Sequence, residues 1–238
     1  MKTVTSLTNP LIKELSELKK NQVKKDRNMF LVDGLDFIEL AYKNNCLKMI
    51  LTINYLSEYS DIEQIIVNKA IIEKLSLYKN ASSIIGVCTY PLYQEIKGDR
   101  LLYLDDVQDP GNVGTLIRTA LAFSYSGVVL SSGSASLYND KVISSTKGAI
   151  FLIPIYKEVD LDEVKNKGYQ IIATALNNAI DYKTVKLEKK TCLVLGNEGQ
   201  GVSDINLDIA DYIVKIDMDN IDSLNVAVAG GILMNEYR

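Results

Sequence analysis

The stretch Leu101–Arg118, LLYLDDVQDPGNVGTLIR, joins two kinds of pattern within eighteen residues. Leu101–Val107 is an apolar run of strand length, as in a strand buried on both faces. Asp109-Pro110-Gly111-Asn112 is a turn by composition. From Val113 to Phe123 the apolar residues recur at helical spacing, with Asn112 placed to cap the helix. Strand, turn and helix in this order make one β-α unit. Working outward, Gly127–Ser131, Tyr169–Ala175, Cys192–Gly196 and Tyr212–Ile216 are further short runs rich in Val, Ile, Leu and Tyr. Helices fit at about Leu161–Lys167 and from about Asn225 onward. The alternation predicts an α/β domain built on a parallel sheet with helices on both faces.

Before Pro91 the chain reads as a smaller α/β unit. Asn9-Pro10 opens a helix carrying Leu11, Leu15 and Leu18. Phe30–Val32 is a strand leading to a helix over Leu35–Lys43. Lys48–Ile53, Gln64–Val67 and Ser83–Thr89 are strands, with a helix near Lys69–Leu77. The polar stretch Pro91–Arg100 marks the expected boundary, with domains at 1–95 and 98–238.

Composition narrows the chemistry. Of 238 residues, 47% are hydrophobic and 24% charged, an ordinary globular balance. No apolar run is long enough to cross a membrane. Met1–Pro10 has no secretory-type apolar core, so a cytoplasmic protein is expected. The three cysteines, Cys46, Cys88 and Cys192, lie in apolar surroundings without metal or disulfide spacing. Histidine is absent, which removes the usual general base and the commonest metal ligand. No metal is expected. The net charge of −4 is uneven: residues 1–97 hold 13 Lys and Arg against 11 Asp and Glu. In that part Lys19, Lys20, Lys24, Lys25 and Arg27 form a basic stretch. It reads either as a solvated helix end and loop or as a contact for RNA phosphates.

Three polar or Gly-rich stretches follow expected strands, where open α/β sheets bind ligands. The first contains Asn112, Gly114 and Arg118. The second is Leu193–Ser203, LVLGNEGQGVS, which is neither a P-loop nor a dinucleotide fingerprint. Glu198 within it can accept hydrogen bonds from backbone N–H groups. The third runs from Ile213 to Met234, with Ser223 and Asn225 at a helix start and small residues at Ala227, Ala229, Gly230 and Gly231.

Together these stretches resemble the three motifs of the SpoU/TrmH RNA ribose methyltransferases. The residues concerned are Asn112-Val113-Gly114 with Arg118 and Ala120, then Leu195-Gly196-Asn197-Glu198-Gly199-Gln200-Gly201. Ile216-Asp217-Met218 and Ser223-Leu224-Asn225-Val226 with Ala229 complete the set. The likeness covers about residues 100–238. Phe30-Leu31-Val32-Asp33-Gly34 is similar to the family's substrate-binding domain, of ribosomal-protein-like α/β fold. Two positions depart from the family pattern. Asp217 stands where a Pro is usual, and Ser144 where an Arg often follows Asn139-Asp140-Lys141-Val142.

The resemblance implies a parallel-sheet domain closed by a deep trefoil knot, a homodimer with the active site at its interface, and S-adenosylmethionine as cofactor. It places cofactor contacts on Gly196, Ile216 and Leu224, near Leu195, Met218, Thr174 and Ala175. It places Arg118 at the ribose 2′-hydroxyl, with Asn112, Glu198, Ser223 and Asn225 completing the pocket. Family proposals make Arg118 the base. A guanidinium rarely gives up its proton, so orienting a phosphate and stabilising the developing alkoxide is the preferred role. The substrate implied is ribosomal RNA. A transfer-RNA methyltransferase and a non-catalytic RNA-binding or ribosome-assembly protein are the alternatives.

Overall fold

A computed structural model describes residues 2–78, 82–91, 93 and 95–238. In chain order the elements are β1 (Lys2–Val4), α1 (Pro10–Glu17), α2 (Asn21–Arg27), β2 (Met29–Asp33), α3 (Leu35–Lys43), β3 (Leu47–Thr52), β4 (Glu63–Val67), α4 (Lys69–Leu75) and β5 (Ile84–Thr89). There follow β6 (Arg100–Leu104), α5 (Pro110–Ala122), β7 (Gly127–Leu130), α6 (Asp140–Ser145), β8 (Ile155–Lys157), α7 (Leu161–Asn166), β9 (Gln170–Thr174), β10 (Ile180–Asp181), β11 (Thr191–Leu195), α8 (Asp204–Asp208), β12 (Tyr212–Lys215) and α9 (Val226–Glu236).

The chain forms two compact units: Met1–Leu92 with Tyr138–Leu152, and Tyr93–Leu137 with Ile153–Arg238. Of the stretch Pro91–Arg100, Leu92 and Gln94 lie outside the described residues. The second crossing was not expected. A segment carrying α6 leaves the C-terminal unit and packs with the N-terminal one. What holds it is chemical. The Lys24 ammonium is fully buried. It donates to the Tyr138 carbonyl at 2.9 Å and pairs with the Asp140 carboxylate. Phe30 stacks on Phe151, and Tyr90 meets Tyr138 edge-on.

The N-terminal unit has a five-stranded sheet in the order β1-β4-β3-β5-β2. Strands β1, β4 and β3 are parallel, and β5 runs against both β3 and β2. Leu31, Leu51, Ile65, Ile71, Ile85 and Val87 lie in its core. The basic stretch after Leu18 is largely helix α2, not a loop. Besides Lys24, three of its cations have partners in their own chain: Lys19 donates to the Ser76 carbonyl at 2.9 Å, Lys20 pairs with Glu17, and Arg27 with Glu14 at 2.7 Å. Lys24, read from sequence as an RNA contact, is buried and cannot touch a phosphate.

The C-terminal unit has a seven-stranded sheet in the order β10-β12-β9-β11-β6-β7-β8, with every pair parallel. Strands β7 and β11 are buried along their whole length and are almost entirely apolar, as burial on both faces favours. The chain first builds outward from β6 through β7 to β8. It then returns to the other side, placing β9 first and inserting β11 between β9 and β6. The boundary between β6 and β11 is therefore a switch point, where the loops after adjacent strands part and leave a crevice.

Candidate active site

The loops after β6 and β11 meet at that switch point. Helix α5 starts three residues before the sequence suggests. Asp109, not Asn112, is its cap, accepting from the Asn112 N–H at 2.9 Å, and Pro110 fills the first turn. Asn112 thus lies inside the helix with its side chain free for another partner. Asn225 caps α9, accepting from Ala227 and Val228. Ser223, the other expected cap, is exposed in the preceding loop.

Glu198 links the loops. Its carboxylate accepts from the N–H groups of Gln108 and Asp109, each at 3.1 Å, and from Asn112 Nδ2 at 2.9 Å. Asn112 Oδ1 accepts in turn from Asn225 Nδ2 at 3.1 Å. One residue from each sequence motif therefore joins a single hydrogen-bonded chain. Burial pushes the Glu198 carboxyl upward. The hydrogen bonds from Asn112, Gln108 and Asp109 outweigh it and hold the group below its ordinary value.

The β11 loop is shaped by its own backbone. Asn197 and Gly201 exchange two N–H···O bonds at 2.9 Å, so the chain folds back over Gly196. A Cβ at Gly196 would lie 2.0 Å from the Gly201 carbonyl carbon and 2.1 Å from the Val202 nitrogen. Asn197 braces the loop from within, accepting from the N–H groups of Gly199 and Gln200 and donating to the Asp106 carbonyl. Asp105, buried at the end of β6, accepts from the Ser203 N–H at 2.8 Å. The sequence reading gave Asp105, Asp106 and Asn197 no role. Two carboxylates just beyond a central strand were the available signal.

A cavity of about 740 Å³ opens beside this loop. Thr174, Ala175, Leu195, Gly196, Ile216, Met218 and Leu224, all singled out from sequence, line it together. Glu198, Ser223 and Asn225 also reach it, as do Asn177, Asp204, Leu207, Asp222 and Leu233, which sequence reading passed over. Its volume lies within the roughly 300–1,000 Å³ usual for small-molecule sites. Apolar side chains for a flat ring, turns with backbone polar groups, and carboxylates at Glu198, Asp204 and Asp222 suit a nucleoside bearing a positive sulfonium. Among the described residues no cluster is suited to a metal ion.

Asn112 and Arg118 are not among the cavity's lining residues. Arg118 lies eight residues beyond Pro110, about 12 Å along the helix. Its side chain is exposed and has no hydrogen bond or ion pair among the described residues. It therefore does not share one phosphate grip with the N-terminus of α5. The two departures from the family pattern are also placed. Asp217 pairs with Lys215 at 3.0 Å on the surface, and Ser144 Oγ donates to the Lys141 carbonyl in α6.

Residues 99–235 match the model of the SpoU rRNA Methylase family. The chain belongs to that family. The 23S rRNA (guanosine(2553)-2′-O)-methyltransferase RlmP of Bacillus subtilis is 32% identical, with 100% of both chains covered. A putative TrmH family tRNA/rRNA methyltransferase of Staphylococcus aureus is 34% identical over 57% of each chain. The crystal structure of an AdoMet-bound rRNA methyltransferase from Sinorhizobium meliloti superposes with a TM-score of 0.88 at 28% identity. It covers 100% of this chain and 97% of that one. This SpoU-family chain is an S-adenosylmethionine-dependent RNA methyltransferase.

Proposed function

We propose that the chain methylates a ribose 2′-hydroxyl of ribosomal RNA. The observation that carries this is the Glu198–Asn112–Asn225 chain beside the 740 Å³ cavity, which draws the three motifs into one site. The full-length likeness to a 23S rRNA ribose methyltransferase supports ribosomal over transfer RNA.

The cofactor supplies an electrophilic methyl group when bound. Gly196, Leu195, Ile216, Met218 and Leu224, with Thr174 and Ala175, hold it along the cavity wall. The chain's remaining task is to align the 2′-hydroxyl in line with that methyl and to stabilise the alkoxide that forms as its proton leaves. Glu198 is a poor candidate for the base, because three N–H donors hold its charged form. It positions α5 instead. Asn112 has its oxygen and one N–H engaged within the chain, so it too positions. Arg118, exposed and unpaired, offers a planar fork for the RNA phosphate and a positive charge for the alkoxide.

The working form is a homodimer in which Arg118 of one protomer serves the cavity of its partner. Support comes from α9, which packs on α5 through Gly230 against Leu116 and leaves Val228 and Ile232 exposed one turn apart. The insertion of β11 between β9 and β6 is compatible with a trefoil knot in the C-terminal segment. The N-terminal unit, including Tyr138–Leu152, binds the RNA. The protein works in the cytoplasm. Among the described residues no helix is long and apolar enough to cross a membrane.

Calorimetric titration with S-adenosylmethionine and S-adenosylhomocysteine tests the reading. About one ligand per chain, with binding weakened in Leu224→Ala, is expected. Methyl groups mapped to a base nitrogen, or folded dimer that binds no cofactor with or without RNA, would overturn it.

A further inference from the structure

In the N-terminal sheet one edge gathers the ends of four strands and the start of the fifth. Val4 pairs with Val67 and Thr52 with Ile66, while Ile84 opposes Thr52 and Ile85 opposes Asp33. The segments leaving this edge are 5–9, 34–36, 53–55, 68–70 and 76–78. Six large apolar side chains are exposed among the described residues of this unit. Five of them, Leu7, Leu35, Ile53, Tyr55 and Tyr78, lie on these segments, the sixth being Leu152.

The polar groups of the edge are neutral hydroxyls and amides: Ser6, Thr8, Asn54 and Asn68. Asp36 is the one exposed carboxylate on the five segments, and Lys69 the one cation. Two further cations reach in from flanking helices. Lys19 Nζ donates to the Ser76 carbonyl and Lys74 Nζ to the Leu7 carbonyl, each at 2.9 Å. The buried Asp33 carboxylate is taken up by the Ser76 hydroxyl and the Ser82 N–H. Lys69 itself pairs with Glu73 at 3.5 Å, so cations and carboxylates about the rim balance and it carries no excess of negative charge in a chain of net charge −4. Tyr55 is 49% exposed and Tyr78 42%.

We propose that this edge is a stacking platform for unpaired nucleotides of the RNA substrate, with Tyr55 and Tyr78 as the rings on which bases lie. Exposed aromatic rings with amides, hydroxyls and scattered cations on a rim without net negative charge match what single-stranded RNA offers: base faces, base edges and scattered phosphates. A purely electrostatic phosphate strip would need more free cations than this edge holds. The inference rests on the reading that the N-terminal unit binds the RNA.

The test uses the full-length chain, a fluorescein-labelled single-stranded RNA 10-mer of mixed sequence, and the duplex made from it. Tyr55→Ala is expected to weaken single-strand binding about tenfold, and the Tyr55→Ala/Tyr78→Ala double variant further. Tyr55→Trp should restore it. Duplex binding and the slope of log affinity against log salt should stay unchanged, because no charge is removed. Unchanged S-adenosylmethionine binding reports that each variant is folded. Equal single-strand affinity for the double variant and the original chain overturns the platform. If Lys20→Glu with Lys25→Glu then weakens RNA binding, the unit still binds RNA and only the stacking face is wrong. If those changes too have no effect, RNA binding by this unit falls. A shift in sedimentation with RNA affinity unchanged would assign the edge to contact between copies and overturn the proposal as well.

Discussion

The side-chain amide of Asn225 donates to that of Asn112 across 3.1 Å, so the first turn of α9 is tied to the first turn of α5. Asn112 passes the connection to Glu198, whose carboxylate also caps the turn before α5. Asn112 is therefore a hydrogen-bonded joint shared by the cofactor loop, the Arg118 helix and the C-terminal helix, added to the packing of α9 on α5. Asn112→Asp replaces the donor facing Glu198 with a second carboxylate. Repulsion at hydrogen-bonding distance should separate α5 from the loop. Turnover is expected to fall at least tenfold and stability by about 1–3 kcal/mol. Methyl incorporation into RNA and thermal unfolding check both.

Glu198→Gln keeps the shape but turns one acceptor into a donor facing N–H groups. Because the site is open to solvent, the loss of stability should be small, about 1 kcal/mol. The pH dependence is more telling. Folding lowers the Glu198 pKa, so its contribution is present above the unfolded value of about 4.3 and is lost as pH falls through the folded value. Acid titration of stability should show a limb below about pH 4.3 that is reduced in Glu198→Gln. Superimposable acid limbs would count against the network.

Two glycines of the cofactor loop should respond differently to the same change. A methyl at Gly196 meets backbone atoms of Gly201 and Val202 near 2 Å, which cannot move without opening the loop. Gly196→Ala should cost about 3 kcal/mol and abolish cofactor binding. Gly201 has φ +75° but open space around its Cβ position. Gly201→Ala should cost only about 1–2 kcal/mol of backbone strain and leave most binding intact. Melting curves with calorimetry would show equal losses if space were not the deciding factor.

These contrasts mark how far the sequence could be read. The strands around the site were legible because buried parallel strands are continuous apolar runs, as in Cys192–Leu195. The cavity wall was legible through motif likeness, since Thr174 and Leu224 are far apart in sequence and only strand order brings them together. The cap of α5 was misread because Asp109 and Asn112 are both good caps, and Pro110 decides between them only through its place in the first turn. The path of Tyr138–Leu152 had no local signal. It depends on a buried lysine whose sequence neighbours make it look like surface charge.

That lysine separates structure from RNA contact most sharply. Lys24 is fully buried, with its ammonium on the Tyr138 carbonyl and the Asp140 carboxylate. Removing the charge while keeping the volume, as in Lys24→Met, leaves that carbonyl without its donor and Asp140 without its cation. Breaking a buried pair from one side costs about 3–5 kcal/mol, and the lower end applies because Asp140 remains partly solvated. Lys24→Glu would bury a carboxylate against Asp140 and should prevent the segment from docking at all. Lys20→Glu, on an exposed residue, should leave the melting temperature nearly unchanged. Hydrogen exchange across α6 reads the difference directly. Faster exchange there in Lys24→Met, with α6 unaffected in Lys20→Glu, is the expected pattern. Equal protection in both would mean that Phe30 on Phe151 and Tyr90 on Tyr138 hold the segment without the ion pair.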